Sequence, residues 1–319
     1  MKRYVDELAS SSEGLAKIQE IYGPLQIGSS CSLILYGIML AQVYNYYTTT
    51  PKDLRLIRYL VLYLAIVETI HSVCEVLIIY EPLVLDFGKL SVTHLYPRAL
   101  PAQSITMVAI STPIQVFLAW RIRNLQGSIW IPALICCLAA MSFAGGLWTG
   151  IGVAIARAYA KTPERYPPVF LWLISAAVAD ILIAGSLSWS LWQRKSGLPS
   201  SNAVVSRIII FTIQTGFVMS FLAVADVIFL VCLPNIALNW VPEAALVKIY
   251  AIQLLSTLNA RESLNKVWED QLNNFILEQS NEEFFISVEA SIQTPGSMVF
   301  ERRSALPNFE PRRPHKINV

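Results

Sequence analysis

The residues of this chain that could do chemistry are ionisable side chains placed inside long apolar stretches. Six of these are four carboxylates, one histidine and one lysine: Glu68, Glu75, Asp180, Asp226, His71 and Lys248. A charge at the centre of a bilayer costs about 2.5–3.5 kcal/mol, so such residues face protein or water and have polar partners. With Asn259, they are our candidates for a ligand-binding site or a buried polar network.

Spacing groups some of these residues on one helical face. Glu68, His71 and Glu75 follow one another at i, i+3 and i+7, which places them on a single stripe of a helix. Two carboxylates flanking a histidine suit proton transfer. Lys248 and Asn259 also fall close to one face of a later helix.

Depth in the membrane indicates which charges pair. Asp226 and Lys248 lie at similar distances from the facing ends of two consecutive apolar stretches. Consecutive spans run antiparallel, so the two side chains are predicted at similar depth. We therefore hypothesise an Asp226–Lys248 ion pair, with Glu75 as the alternative acid, because pairing offsets much of the cost of burying a charge.

Several kinds of site are not expected. His71 is the one histidine in an apolar stretch, so we expect no multi-histidine metal site, and no nucleophile–base set indicates an intramembrane enzyme. A lysine in a seventh span is also found in retinal proteins, but the third stretch here has no acidic counter-ion. We expect a protein without catalytic activity, metal or cofactor.

Seven apolar stretches must position these side chains. Mean hydropathy is +0.51 and charged residues are 14% of the chain, against about 25% in soluble domains. The stretches, each near the 20 residues that cross a bilayer, are Leu25–Tyr46, Leu56–Tyr80, Ala102–Ile122, Ile129–Ala154, Val169–Trp192, Arg207–Leu233 and Trp240–Asn259. The predicted fold is all-α: a polytopic integral membrane protein with seven transmembrane helices in one bundle.

The ends of the chain differ from this core. Residues 1–24 are predicted to form a short outer segment, and the acidic residues within it do not fit a cleaved signal peptide. Residues 25–260 are the seven-span domain. Residues 261–319 are charged and proline-containing, which is typical of a largely disordered cytoplasmic tail.

Lysine and arginine residues set the predicted orientation. They concentrate in the loops between spans one and two, three and four, and five and six, and directly after span seven. By the positive-inside rule this places the N-terminus outside and the C-terminus in the cytoplasm. The plasma membrane is the default location. A net charge of +2 gives no reason to expect nucleic acid as a partner.

Small residues are concentrated in the fourth span. Gly146 and Gly150 form a Gly-x-x-x-Gly pair, which lets another helix approach closely. One interpretation is packing within the bundle. The other is a homodimer that forms through these two glycines.

Several ordered motifs are similar to those of one family. A Tyr-Gly pair precedes a glutamine and paired tyrosines, a Lys-Asp pair, and an acidic residue three before a histidine. A later Lys-x-Tyr precedes Leu-Asn-x-Arg. The residues are Tyr36, Gly37, Gln42, Tyr46, Tyr47, Lys52, Asp53, Glu68, His71, Lys248, Tyr250, Leu258, Asn259 and Arg261. Over residues 25–265 the chain resembles a fungal membrane-protein family, mostly from mushroom-forming fungi, catalogued as domain of unknown function 6534. The resemblance implies seven spans and a cytoplasmic tail, and no activity.

Three functions remain open. The leading hypothesis is a receptor- or sensor-like protein that binds a small molecule in the outer half of the bundle, which predicts ligand binding dependent on Lys248 and no flux. A transporter or proton-coupled permease predicts a flux dependent on Glu68, His71 and Asp180. A membrane scaffold, whose partner is the lipid bilayer alone, predicts neither.

Overall fold

The protein is an all-α bundle. The computed structural model describes residues 2–50, 53–87, 95–156, 166–193, 199–233 and 236–260, with residues 273, 274 and 277. Six helices are α1 (Lys2–Thr49), α2 (Arg55–Tyr80), α3 (Leu100–Gln126), α4 (Trp130–Ala156), α5 (Tyr166–Gln193) and α6 (Pro199–Cys232). The seventh, α7, covers residues 240–260 and follows a 3-10 turn at Ala237–Asn239.

Within these described residues, seven helices are long and apolar enough to cross a membrane. This confirms the predicted fold class. The backbone explains it, since a helix satisfies all its own hydrogen bonds where no water is present. Large apolar side chains such as Ile34, Trp148 and Phe217 lie exposed on the outside of the bundle, where a soluble protein would place polar ones.

The helix bounds agree with the predicted spans except at the starts of α1 and α6, and α6 begins at Pro199 rather than at the predicted Arg207. Helix α1 already begins at Lys2, although its apolar portion is Ile18–Thr49. The predicted outer segment 1–24 is therefore helical and continuous with the first span. Except for three positions, the predicted tail 261–319 lies outside the described residues.

Contacts between helices give the topology. Tyr36 of α1 bonds Thr69 of α2, while Tyr47 bonds Arg58, so these two helices run antiparallel. Helices α1 and α7 run parallel, because Gly28 lies against Trp240 at one end and Asn259 bonds the Gln42 carbonyl at the other. We call the end where α1 and α7 begin the N-terminal end of the bundle, and the opposite end the C-terminal end.

Helices α3 and α7 occupy the centre. In the most apolar part of each helix, 72% of α7 residues and 61% of α3 residues are buried, against 39% or fewer in the other five. Helix α3 ends at Gly127, whose φ of 70° closes the helix in the left-handed conformation that glycine adopts readily.

Helix α4 packs closely on α3 through two of its glycines. Gly146 lies against Val108 of α3, and Gly150 against Ile105 and the Pro101 carbonyl of the same helix. Both glycines are buried within the chain, so the packing interpretation agrees with the geometry. Within one chain, the two glycines of the possible homodimer surface face α3, and the homodimer stays a prediction.

Candidate functional site

The centre of the bundle holds a lysine between two carboxylates. Lys248 of α7 is fully buried, and its Nζ lies 2.7 Å from Glu68 Oε2 and 2.8 Å from the Ser72 hydroxyl. The Glu75 carboxylate is 3.9 Å away, and the ring of Tyr36 lies 5.4 Å from Nζ. Two acids and an aromatic face therefore surround one cation, which offsets the cost of burying it.

Glu75 connects this lysine to His71. The Ser32 hydroxyl of α1 donates to Glu75 Oε2 at 2.8 Å, and Glu75 Oε1 lies 3.5 Å from His71 Nε2. On the other side of the ring, Nδ1 lies 2.9 Å from the Thr106 hydroxyl, which is also within donating distance of the Ala102 carbonyl of its own helix. If the Thr106 hydroxyl donates to the Ala102 carbonyl, it accepts a hydrogen bond from His71 Nδ1. A proton on either His71 Nε2 or Glu75 Oε1 then makes the contact between those two atoms attractive.

The predicted stripe on α2 is thus present. Glu68, His71 and Glu75 all point into the bundle and are at most 3% exposed. Sequence spacing alone predicted this face, because residues three, four and seven apart on a helix lie above one another.

The hypothesised Asp226–Lys248 pair is wrong. The acid closest to Lys248 is Glu68, at 2.7 Å, followed by the alternative acid Glu75, at 3.9 Å. Asp226 instead accepts a hydrogen bond from the side chain of Asn239 and lies near Glu243, both at the start of the last span. Glu243 and Lys248 are five residues apart, which at 3.6 residues per turn sets them about 140° apart around α7. Because Glu243 lies on the side of α7 that meets α6, Lys248 points away from α6 and toward Glu68 of α2.

A cavity of about 90 Å³ lies at the N-terminal end, partly open, between α3, α4, α5, α6 and α7. Asp226 and Glu243 contribute carboxylates to its wall, and Asn239 contributes an amide. Both carboxylate residues are more than nine-tenths buried. Three aromatic residues, Tyr96, Trp172 and Trp240, belong to the remaining lining together with aliphatic ones.

A second cavity, of about 10 Å³, lies beside the first. It is bordered by Glu75, Gln103 and Trp240, so Trp240 takes part in the walls of both cavities. Its volume is close to that of one water molecule. Glu243 and Glu75 also interact electrostatically. Through Glu243, the larger cavity is therefore coupled electrostatically to the charges around Lys248.

Asp180 belongs to a separate group. Its Oδ1 accepts a hydrogen bond from Gln115 Nε2 at 3.1 Å, and its Oδ2 accepts one from the Tyr250 hydroxyl. The three residues come from α5, α3 and α7, and all are buried. This group ties three helices together at the middle of the bundle.

Asn259 lies at the C-terminal end and does not join the other candidates. Its Nδ2 donates to the Gln42 carbonyl of α1 at 3.1 Å, and the side chain is half-buried. Nearby, the Tyr46 hydroxyl donates to Asp53 Oδ2 at 2.9 Å. The Asn259 bond holds the last turn of α7 against α1, and the Tyr46 bond holds the end of α1 against the segment that leads into α2.

The sequence analysis missed Glu243 and the aromatic residues around it. Glu243 is an acid inside a predicted span, and this alone marks it as a candidate. Nothing in the sequence spacing of Trp172 and Trp240 indicates that the two residues line a shared cavity. Among the described residues, no group of three histidine, cysteine or carboxylate side chains is arranged to hold a metal ion.

Comparison with known proteins finds one similarity. A family model described as a family of unknown function (DUF6534) matches residues 176–263, from the middle of α5 to the end of α7. The matched part contains Asp180, Asp226, Lys248 and Asn259. No curated protein and no solved structure matches the chain.

Proposed function

We propose that this protein is a receptor- or sensor-like membrane protein that binds a small molecule at the N-terminal end of the bundle, without catalysing a reaction. The observation that supports it is the cavity lined by five helices, with two buried carboxylates in its wall. Sites of this kind between helices, with few polar groups in an apolar lining, are where bundles bind small ligands.

The ion pair beneath the cavity gives the proposed receptor a path to the rest of the bundle. Glu243 in the cavity wall interacts with Glu75, and Glu75 contacts His71 and Lys248. A ligand that changes the charge at Glu243 changes the field at Glu75. The Lys248 ammonium, which lies between Glu68 and Glu75, would then shift its balance between α2 positions about two helical turns apart.

We also propose the orientation and the origin. The loops rich in lysine and arginine support an extracellular N-terminal end and a plasma-membrane location. Membership of the fungal family over a longer part of the chain is supported by contacts between the matched residues 176–263 and the motifs that precede them. Lys248 contacts Glu68 and Tyr36, and Asn259 contacts Gln42. Motif residues from both halves of the chain therefore meet in space.

A proton-coupled permease is the second candidate. Glu243 interacts electrostatically with Glu75, and Glu75 contacts His71 and Lys248. This series of groups reaches from the cavity toward the middle of the bundle, as a proton path would. Asp180, which such a path would need next, is held in its own group with Gln115 and Tyr250. This grouping favours binding over transport.

The experiment is thermal unfolding of the purified protein against a panel of small metabolites and lipids, with the variant Trp172→Phe in parallel. A cavity ligand is expected to raise the wild-type midpoint, because it binds only the folded state, and to raise that of Trp172→Phe less. A proteoliposome flux assay with the same compound then separates a receptor, which gives no flux, from a permease. If no compound in the panel raises the midpoint, the receptor proposal fails.

A further inference from the structure

The charges buried at the N-terminal half of the bundle do not balance. Among the described residues there, four carboxylates are buried: Glu68, Glu75, Asp226 and Glu243. Lys248 compensates the first two, with a contribution from His71 when that ring is protonated. Asp226 and Glu243 have no cation within ion-pair distance in the part of the chain that the structure describes.

Glu243 in particular has no polar partner for its carboxylate among those residues. Asp226 has the Asn239 amide, whereas the groups near Glu243 are two further carboxylates, those of Asp226 and Glu75. Glu243 is 8% exposed, and what remains accessible faces the cavity. A buried carboxylate close to like charges is costly as an anion, and either a bound proton or an entering cation removes that cost.

The rest of the cavity wall suits a cation as well. Tyr96, Trp172 and Trp240 also line the cavity, and the negative faces of aromatic rings attract ammonium groups. The Asn239 side-chain oxygen can accept a further hydrogen bond when its amide nitrogen donates to Asp226. Carboxylates, an amide oxygen and aromatic faces together match the three donors of a primary ammonium.

We propose that the cavity binds an organic cation through a compact ammonium group, which lies between Asp226 and Glu243 and against the ring of Trp240 or Trp172. This inference rests on the proposed function and names the chemical class of its ligand. A volume of about 90 Å³ admits only the ammonium and its nearest carbons, since an empty cavity of about 150 Å³ accommodates one benzene ring. The remainder of the ligand extends through the open side.

The test compares amines with alcohols of the same carbon skeleton. Ethylammonium, butylammonium and 2-phenylethylammonium chloride are titrated into the purified full-length protein at constant ionic strength, with ethanol, butanol and 2-phenylethanol as neutral matches. Binding is followed by the unfolding midpoint and by the fluorescence of the tryptophans. The amines are expected to bind at least about tenfold more tightly than the alcohols, because charged hydrogen bonds are lost with the neutral group.

Variants assign the effect to the cavity. Glu243→Gln is expected to weaken amine binding about tenfold or more, while Glu81→Gln, a partly exposed acid at the same end that pairs with Arg98 outside the cavity, is expected to leave it unchanged. If Glu243→Gln does not yield folded protein, Asp226→Asn takes its place. If neither folds, the wild-type comparison of amines with alcohols decides.

Two results overturn the inference, and they differ in what they say of the proposed function. If alcohols bind as tightly as amines, or if amine binding survives both cavity variants, the ligand class is wrong while a binding site remains. If neither series binds, the ammonium inference falls, and the metabolite panel on the wild type decides the receptor proposal independently.

Discussion

At the scale of single residues, the centre of this protein is organised by one lysine. Lys248 is fully buried between Glu68, Glu75 and Ser72. A lone lysine in the bilayer would be costly, and so would two lone glutamates. The lysine therefore offsets the cost of burying the two glutamates, and the glutamates offset the cost of burying the lysine. Removing either kind of group leaves a buried charge without a partner.

This leads to a prediction for Lys248→Met. We expect a loss of about 3–5 kcal/mol of stability, because Glu68 and Glu75 remain buried without their cation. Combined with Glu68→Gln, the loss should be smaller than the sum of the two single losses by about 1–3 kcal/mol. The measurement is a double-mutant cycle of unfolding free energies in detergent.

The same cycle with Asp226 supplies the control. Lys248→Met and Asp226→Asn should be additive within about 0.5 kcal/mol, since the two side chains share no contact. The structure would be contradicted if the Lys248 and Asp226 substitutions were strongly coupled while those at Lys248 and Glu68 were additive. That result would restore the Asp226–Lys248 pair hypothesised from the sequence.

Asp180 allows a second prediction at this scale. Tyr250→Phe removes one of its two donors, so a buried carboxylate oxygen loses its hydrogen bond. We expect a loss of about 1–3 kcal/mol. Tyr59→Phe, at a side chain 67% exposed on the outside of the bundle, is the matched control and should have almost no effect. Equal stability of the two variants would remove the structural role of this group.

The sequence predicted which residues are buried and polar, and it failed to predict their partners. The stripe of Glu68, His71 and Glu75 follows from helical spacing, because that spacing is a local property. The partner of Lys248 depends on how α7 is rotated relative to α2 and α6. Depth along the membrane carries no information on this rotation, so Asp226 was a plausible but incorrect choice.

At the scale of elements, the helices were predictable and their packing was not. Hydropathy located all seven spans, because the length of an apolar helix is fixed by the bilayer. The 48-residue length of α1 exceeds that requirement and was not anticipated. The Gly-x-x-x-Gly pair in α4 signalled a close helix contact, but only the structure assigns that contact to α3.

Close packing of α4 on α5 gives a prediction for Gly145. A Cβ there would lie 2.8 Å from the Trp172 nitrogen and 2.9 Å from the Pro168 carbonyl oxygen, which are backbone atoms that cannot turn aside. Gly145→Ala should therefore cost about 1–3 kcal/mol.

Gly185→Ala is the matched control for that substitution. It lies in α5 with nothing within 4 Å of the added carbon. This variant should be neutral, or more stable by up to about 1 kcal/mol because alanine favours the helix. Unfolding midpoints of the two variants in the same detergent check both statements. A tolerated Gly145→Ala would mean that α4 and α5 lie further apart.

At the scale of the whole molecule, the orientation in the membrane decides which solution reaches the cavity. The distribution of lysine and arginine predicts that the N-terminal end, and the cavity with it, faces the outside. An epitope tag at the N-terminus should bind antibody on intact cells, and a tag at the C-terminus only after permeabilisation. The opposite result would place the cavity on the cytoplasmic side and make it a site for an intracellular ligand.

The central claim, a cavity that admits small cations from solution, is tested most directly by labelling. In a variant without its five native cysteines, Ser104→Cys places a thiol in the cavity wall, and Ser111→Cys places one on the same helix outside the cavity. We predict that a cationic methanethiosulfonate modifies Ser104→Cys faster than an anionic one of similar size, and that neither modifies Ser111→Cys. Failure of both reagents at Ser104→Cys, or faster reaction of the anion, would contradict the account.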